Sequence, residues 1–237
     1  MAEDILSGLR RELEQLGDQK TRDGFGRFFK EKVVGYGVTV PKVDKAADQW
    51  FAKVRPLGKT GIFALCDELL KSGMIEEAFV AADWAYRVRD EFQPADFSVF
   101  HRWVQEYVDN WAECDALCNH AVGAFVDRYP EYAGRLKEWA RSDNRWVRRA
   151  AAVTLVLPVR AGRFLQDVFE IADILLEDKD DLVQKGYGWM LKEASREHQD
   201  EVLAYVLRHK KVMPRTALRY AIEKMPPELR RRAMARD

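Results

Sequence analysis

Residues Leu136–Ala152 read LKEWARSDNRWVRRAAA, and the order of events within them decides the fold. An apolar helix runs into a short polar turn. An apolar pair followed by basic residues, Trp146, Val147, Arg148 and Arg149, then opens the next helix. The same succession returns in Ile174–Gly188, ILLEDKDDLVQKGYG, around Leu182, Val183, Gln184 and Lys185. It returns again in Tyr205–Tyr220, YVLRHKKVMPRTALRY, around Met213, Pro214, Arg215 and Thr216. Similar units open upstream at Ile75 and Trp111. The starts Ile75, Trp111, Trp146, Leu182 and Met213 are 36, 35, 36 and 31 residues apart. Two helices in a period of roughly 30–45 residues is the mark of HEAT or armadillo-type stacking. The expected fold is all-α, a HEAT-like repeat α-solenoid of about a dozen helices in stacked antiparallel pairs. A helical bundle is the competing architecture.

Outside these units the same periodicity holds. Ile5, Leu9, Leu13 and Leu16 form one apolar stripe, and Ile62, Leu65 and Leu69 another. Phe164, Val168, Ile171, Ile174 and Leu175 form a third, at the three-to-four residue spacing of a helix face. Breakers separate the stripes at Pro41, Pro56, Pro94, Pro130, Pro158, Pro214, Pro226 and Pro227. Only Val33–Val40 reads as a strand, and Gly35 and Gly37 favour a turn there. Each unit leaves a face apolar until its neighbour covers it, so one HEAT-like domain over 1–237 is expected, with roughly 1–40 an atypical N-terminal cap.

Composition bounds the function. Hydrophobic residues make up 47% and charged residues 33% of the 237, a balance that supports a packed core. The 39 basic and 39 acidic residues cancel, which argues against binding nucleic acid through bulk charge. The distribution is less even. Residues 141–237 hold 20 Lys/Arg against 15 Asp/Glu, leaving 19 against 24 for 1–140. The longest apolar run, Ala150–Val159, is too short for a membrane helix and contains Thr154 and Pro158. Three cysteines, Cys66, Cys114 and Cys118, suit reduced thiols in a cytosol. The acidic start Met1, Ala2, Glu3, Asp4 lacks the apolar run of a secretory leader, so a cytoplasmic location is expected.

Three consecutive units place a chemically suggestive pair at i,i+4: Trp111 with Asp115, Arg145 with Arg149, and Lys185 with Trp189. Residues four apart share a helix face, so stacked units could align them in one groove. Solvated edge charges and core tryptophans are the plainer alternatives. On the helix from Trp111, the residues Cys114, Leu117, Ala121 and Phe125 form the packing stripe, with Asp115 at its edge. Gly186 and Gly188, mid-helix, signal close approach of a neighbouring helix or of a ligand backbone. Arg149 and Lys185 suit phosphates, and the two tryptophans suit sugar or base faces. A fixed carboxylate, Asp115, suits an oxocarbenium-like sugar. Cys114, Cys118 and His120 lack the second cysteine pair of a metal site. Acyl-transfer, nucleotide-loop and zincin motifs are absent from the sequence.

With these residues in view, the sequence resembles the bacterial DNA alkylation repair enzymes, the AlkD-like DNA glycosylases built from HEAT-like repeats. The resemblance rests on WAECDALCNHAVG from Trp111, SDNRWVRRAAA from Ser142 and QKGYGWMLKE from Gln184, in that order and spacing. It covers nearly the whole chain, most securely from about residue 70 onward. It implies a monofunctional enzyme that releases cationic N3- or N7-alkylated purines from double-stranded DNA. Asp115 takes the place of the catalytic carboxylate, Trp111 and Trp189 line the groove, and Arg149 contacts phosphate. Arg148, Lys185 and Arg215 are further DNA-binding candidates. Two departures stand out. Asn110 replaces a tryptophan often found before Trp111, and Phe28 stands where a tyrosine is common near the lesion. A monomer with no membrane attachment and no metal or organic cofactor is expected. The competing reading is a non-catalytic HEAT module that binds DNA structures or a protein.

Overall fold

The computed structural model describes residues 2–235. The chain divides into two compact units, Met1–Ala121 and Val122–Asp237. In the first unit the helices are α1 (Ala2–Leu16), α2 (Gln19–Phe28), α3 (Val40–Val54), α4 (Gly58–Lys71), α5 (Ile75–Arg87), α6 (Asp96–Glu106) and α7 (Trp111–Ala116). In the second they are α8 (Gly123–Arg128), α9 (Ala133–Trp139), α10 (Arg145–Val153), α11 (Val156–Arg160), α12 (Leu165–Ile174), α13 (Asp181–Ala194), α14 (Gln199–His209), α15 (Arg215–Ala221) and α16 (Pro227–Met234). These sixteen exceed the expected dozen because 3-10 turns and one π-helical stretch, Leu117–Val122, split longer helical runs.

Each unit is a stack of helix pairs in two layers. In the first, α3 packs on α1, α5 on α3 and α7 on α5, while α4 backs α5 from the other layer. Ile62, Leu65, Cys66 and Leu69 of α4 face Val80, Ala81 and Trp84 of α5, all buried. Trp84 satisfies its indole N–H on the carbonyl of Ala47 at 2.9 Å. α6 joins α4 through Phe63, Phe100 and Trp103, whose rings lie 5.1–5.8 Å apart. In the second unit α10, α13 and α15 form one layer, and α9, α12 and α14 the other, with α16 against α14. The helix starts anticipated at Ile75, Trp111, Trp146, Leu182 and Met213 fall within two residues of α5, α7, α10, α13 and α15. The all-α, HEAT-like reading holds, and no strand is present among the described residues.

The prolines act at helix beginnings. Pro41 lies in the first turn of α3, Pro214 caps α15, and Pro226 and Pro227 open α16. Pro158 instead lies inside α11. It is tolerated because the first-turn N–H groups of a helix have no internal acceptor. Residues 33–39 form a strap, not a strand, and α3 opens at Val40; among the described residues the strap's ladder contact is the parallel bridge of Val34 with Met74. Among the described residues no helix is long and apolar enough to cross a membrane.

Candidate DNA-repair site

α7 begins where it does because of Asn110. This buried residue caps the helix, its side-chain oxygen accepting the N–H groups of Ala112 and Glu113, each at 3.1 Å. Its amide nitrogen donates to Asp109 at 3.0 Å. A side-chain acceptor at this position satisfies N–H groups that the helix leaves without partners. Trp111 is thereby fixed as the first residue of the helix, half-buried, with Asp115 one turn on and also half-buried. Cys114, Leu117 and Ala121 are buried on the adjoining face, as their spacing suggested. The helix then widens into the π-helical stretch Leu117–Val122 immediately after the Asp115 turn. Such widenings are frequent at functional sites. Cys118 lies buried within it.

The aromatic partner of Trp111 is Phe29. The two rings stack at 5.3 Å and 25°, while Phe25 meets Phe29 edge-on at 6.4 Å. Phe28, the residue singled out from sequence, projects beside them and is 73% exposed. Together they wall an open cavity of about 570 Å³ whose floor includes Val38, Ile75 and Phe79. A second cavity of about 460 Å³ shares Val40 and Phe79, and is lined further by Asp83, Tyr86, Ala116 and His120. His120 meets Tyr86 edge-on at 5.4 Å. Burial lowers the imidazole pKa against the pull of Asp83. Burial likewise raises the Asp83 carboxyl, against its 2.6 Å pairing with Arg87. Glu113, buried two residues before Asp115, is pushed up to about 7 by desolvation and by the neighbouring charge of Asp109.

The remaining sequence candidates belong to the second unit. The basic run of α10 grips the start of α13. Arg145 pairs with Asp180 at 2.7 Å, and Arg148 with Asp178 at 2.7 Å. Arg148 also donates to the carbonyls of Ser142 and Asp143. Arg149 is 5% exposed and donates to the carbonyl of Leu182. Asp180 itself caps α13 by accepting from Leu182 and Val183. Lys185 is half-buried with Asp181 at 3.4 Å, Trp189 is half-buried, and Arg215 is exposed at the first turn of α15. The two glycines have separate reasons. A Cβ on Gly186 would lie 3.3 Å from Arg149 Cγ, so this glycine makes room for the arginine. A Cβ on Gly188 would lie 2.8 Å from the Ala217 carbonyl oxygen, so here the close approach is that of α15. Sequence reasoning missed Phe29, since nothing in its spacing separates it from Phe25 and Phe28. It missed the capping role of Asn110, although an Asn three residues before a Glu is a helix-start signal.

In the first unit these helices hold a half-buried carboxylate, Asp115, one helical turn from a half-buried tryptophan, Trp111, which walls an aromatic cavity. The comparisons fit it. The model of a family described as DNA alkylation repair enzyme matches residues 9–225. A solved structure described as a predicted DNA alkylation repair enzyme from Enterococcus faecalis is 16% identical. The match covers 89% of this chain and 97% of that one, with a TM-score of 0.79. At that identity the likeness speaks for the fold. No curated protein sequence matches. With the family model spanning almost the whole chain, from α1 to the turn before α16, this protein is a member of the DNA alkylation repair enzyme family.

Proposed function

We propose that the protein is a monofunctional DNA glycosylase that removes cationic N3- or N7-alkylated purines from double-stranded DNA. The observation that carries this reading is the pairing of Asp115 with Trp111 on the capped start of α7, both half-buried and reachable from solvent. An alkylated purine already carries a positive charge. When its bond to the sugar C1′ breaks, both electrons of that bond go to the purine, which leaves neutral. The sugar is left oxocarbenium-like, and a fixed carboxylate stabilises that developing charge. Asp115 in its ionised form serves this purpose and orients a water. The water oxygen bonds to C1′ and its proton passes to the carboxylate or to solvent, giving free base and an abasic site.

Trp111, backed by Phe29, supplies a rigid ring against which a sugar or base face rests. Phe28 adds apolar surface beside it. Lys185 and Arg215 supply charge for phosphates, and Trp189 a further aromatic face. Within the second unit Arg148 and Arg149 hold the start of α13, the helix that carries Lys185 and Trp189. The test is incubation of the purified protein with methylated duplex DNA and chromatography of the released base. Release of 7-methylguanine or 3-methyladenine is expected. Binding without release would instead support the non-catalytic HEAT module.

A further inference from the structure

The helix that carries Phe28 is unusual in that α2 has no buried residue. Apolar burial, the ordinary source of a helix's placement, therefore does little to fix it, Phe25 being only half-buried. The strap that follows fixes it. Val34 O accepts from Ile75 N at 3.0 Å. Then three successive backbone N–H groups end on one side chain. Tyr36 N donates to Glu76 Oε2 at 3.0 Å, and Gly37 N and Val38 N donate to Glu76 Oε1 at 2.8 and 2.9 Å. Beside it Glu77 accepts from the Tyr36 hydroxyl at 2.6 Å and from Arg10 at 2.9 Å. Both carboxylates are 1% exposed. The strap in turn holds α2. Asp18 N donates to Gly37 O at 2.9 Å, and Arg22 Nη2 to Tyr36 O at 2.8 Å.

The contact is close enough to demand glycine. A Cβ on Gly35 would lie 2.5 Å from Glu76 Oε2, 2.8 Å from Phe25 and 2.9 Å from Ile75. Gly37 has φ of +82°, and its Cβ would lie 2.4 Å from Asp18 O. The path from scaffold to aromatic wall is thus continuous: α5, Glu76, strap, α2, then Phe28 and Phe29 against Trp111. A buried carboxylate that accepts three amide N–H groups is an expensive feature to desolvate, and it remains favourable only while all three bonds are kept.

We propose that Glu76 is a positioning residue, whose three-amide grip on the strap fixes α2 and thereby the Phe28 and Phe29 wall beside Trp111. Its bearing on base release rests on the glycosylase reading above. The placement of α2 does not.

The experiment uses the full chain and two variants that loosen the grip from opposite sides. Glu76→Gln keeps the shape but turns an NH2 towards an N–H donor. Gly35→Ala leaves Glu76 intact and pushes the strap from it. Peptide-resolved hydrogen exchange should be ~10–100-fold faster in the strap and in α2 for both variants, with α4 to α6 unchanged. Single-turnover release of 7-methylguanine should fall ~10–100-fold, while duplex affinity changes much less. Unchanged exchange in α2 would overturn the proposal. So would faster exchange with undiminished base release, since α2 would then be held by Glu76 without consequence for the reaction. If the wild type releases no base, the glycosylase reading fails by itself, and the exchange arm still decides whether Glu76 places α2.

Discussion

Single side chains here are set by what surrounds them more than by their type. Arg149 has the look of a phosphate ligand in the sequence, yet it is nearly inaccessible and bonded to a carbonyl at the start of α13. Arg149→Ala should therefore reduce stability by about 1.5–3 kcal/mol, the range for loss of a charge-assisted hydrogen bond in a buried place. Urea unfolding measures it, and an unchanged midpoint would show that the bond carries little. Glu113 gives a pH signature. Its folded pKa, about 7, lies above its ordinary 4.5. Between those values the unfolded chain binds fewer protons at this site, so stability falls as pH rises and levels off above pH 7. Glu113→Gln removes the ionisable group and should be more stable than wild type at pH 8 by roughly 1–3 kcal/mol. At pH 4 the two should be nearly equal. Equal stability at both pH values would contradict the assignment. None of this was legible in the sequence, where Glu113 is one acidic residue among many and nothing marks it as buried in the turn that Asn110 caps.

Among the elements, the helix pairs were the legible part. Each unit has the same apolar face to bury, so the requirement repeats in the sequence at the same interval as in the stack. That is why Ile75, Trp111, Trp146, Leu182 and Met213 fall at helix starts. The pair Gly186 and Gly188 was legible as a close approach, but not as two different ones. The difference gives a prediction. Alanine is the better helix former by about 1 kcal/mol, so both substitutions gain on that account. At Gly188 the added Cβ meets Tyr220 Cβ at 2.7 Å and backbone of α15 at 2.8 Å, which α15 can relieve only by moving. Gly188→Ala should lose a net ~1–3 kcal/mol. Gly186→Ala meets a side chain at 3.3 Å and should change stability by less than about 1 kcal/mol. Thermal unfolding of the two variants side by side tests this, and equal midpoints would refute it. Illegible elements were those without an apolar stripe. α2 has no buried residue, and the strap takes its path from Glu76, forty residues away in sequence. Phe164 has the spacing of the α12 stripe, but it caps that helix in a left-handed conformation with φ of +63°. Residue type gives no warning of such a position, because glycine or asparagine is the usual occupant.

For the molecule as a whole, composition pointed away from nucleic acid, since the charges sum to zero. The repeat motifs pointed towards it, and the family match decides for DNA alkylation repair. Net charge is a poor guide because a sum of zero says nothing of where individual cations stand on the surface. Asp115 and Trp111 were readable as a pair from their i,i+4 spacing, and the resemblance gave them roles. Phe29, which completes the wall, became visible only once α2 and the strap were in place. The central claim is that Asp115 stabilises the sugar cation as the purine leaves, and one substitution addresses it. Asp115→Asn keeps the shape and removes the charge. Single-turnover release of 7-methylguanine from methylated duplex should slow at least ~100-fold, as expected for loss of one such electrostatic group, while duplex binding stays near wild type. An active wild type matched in rate by Asp115→Asn would contradict the claim.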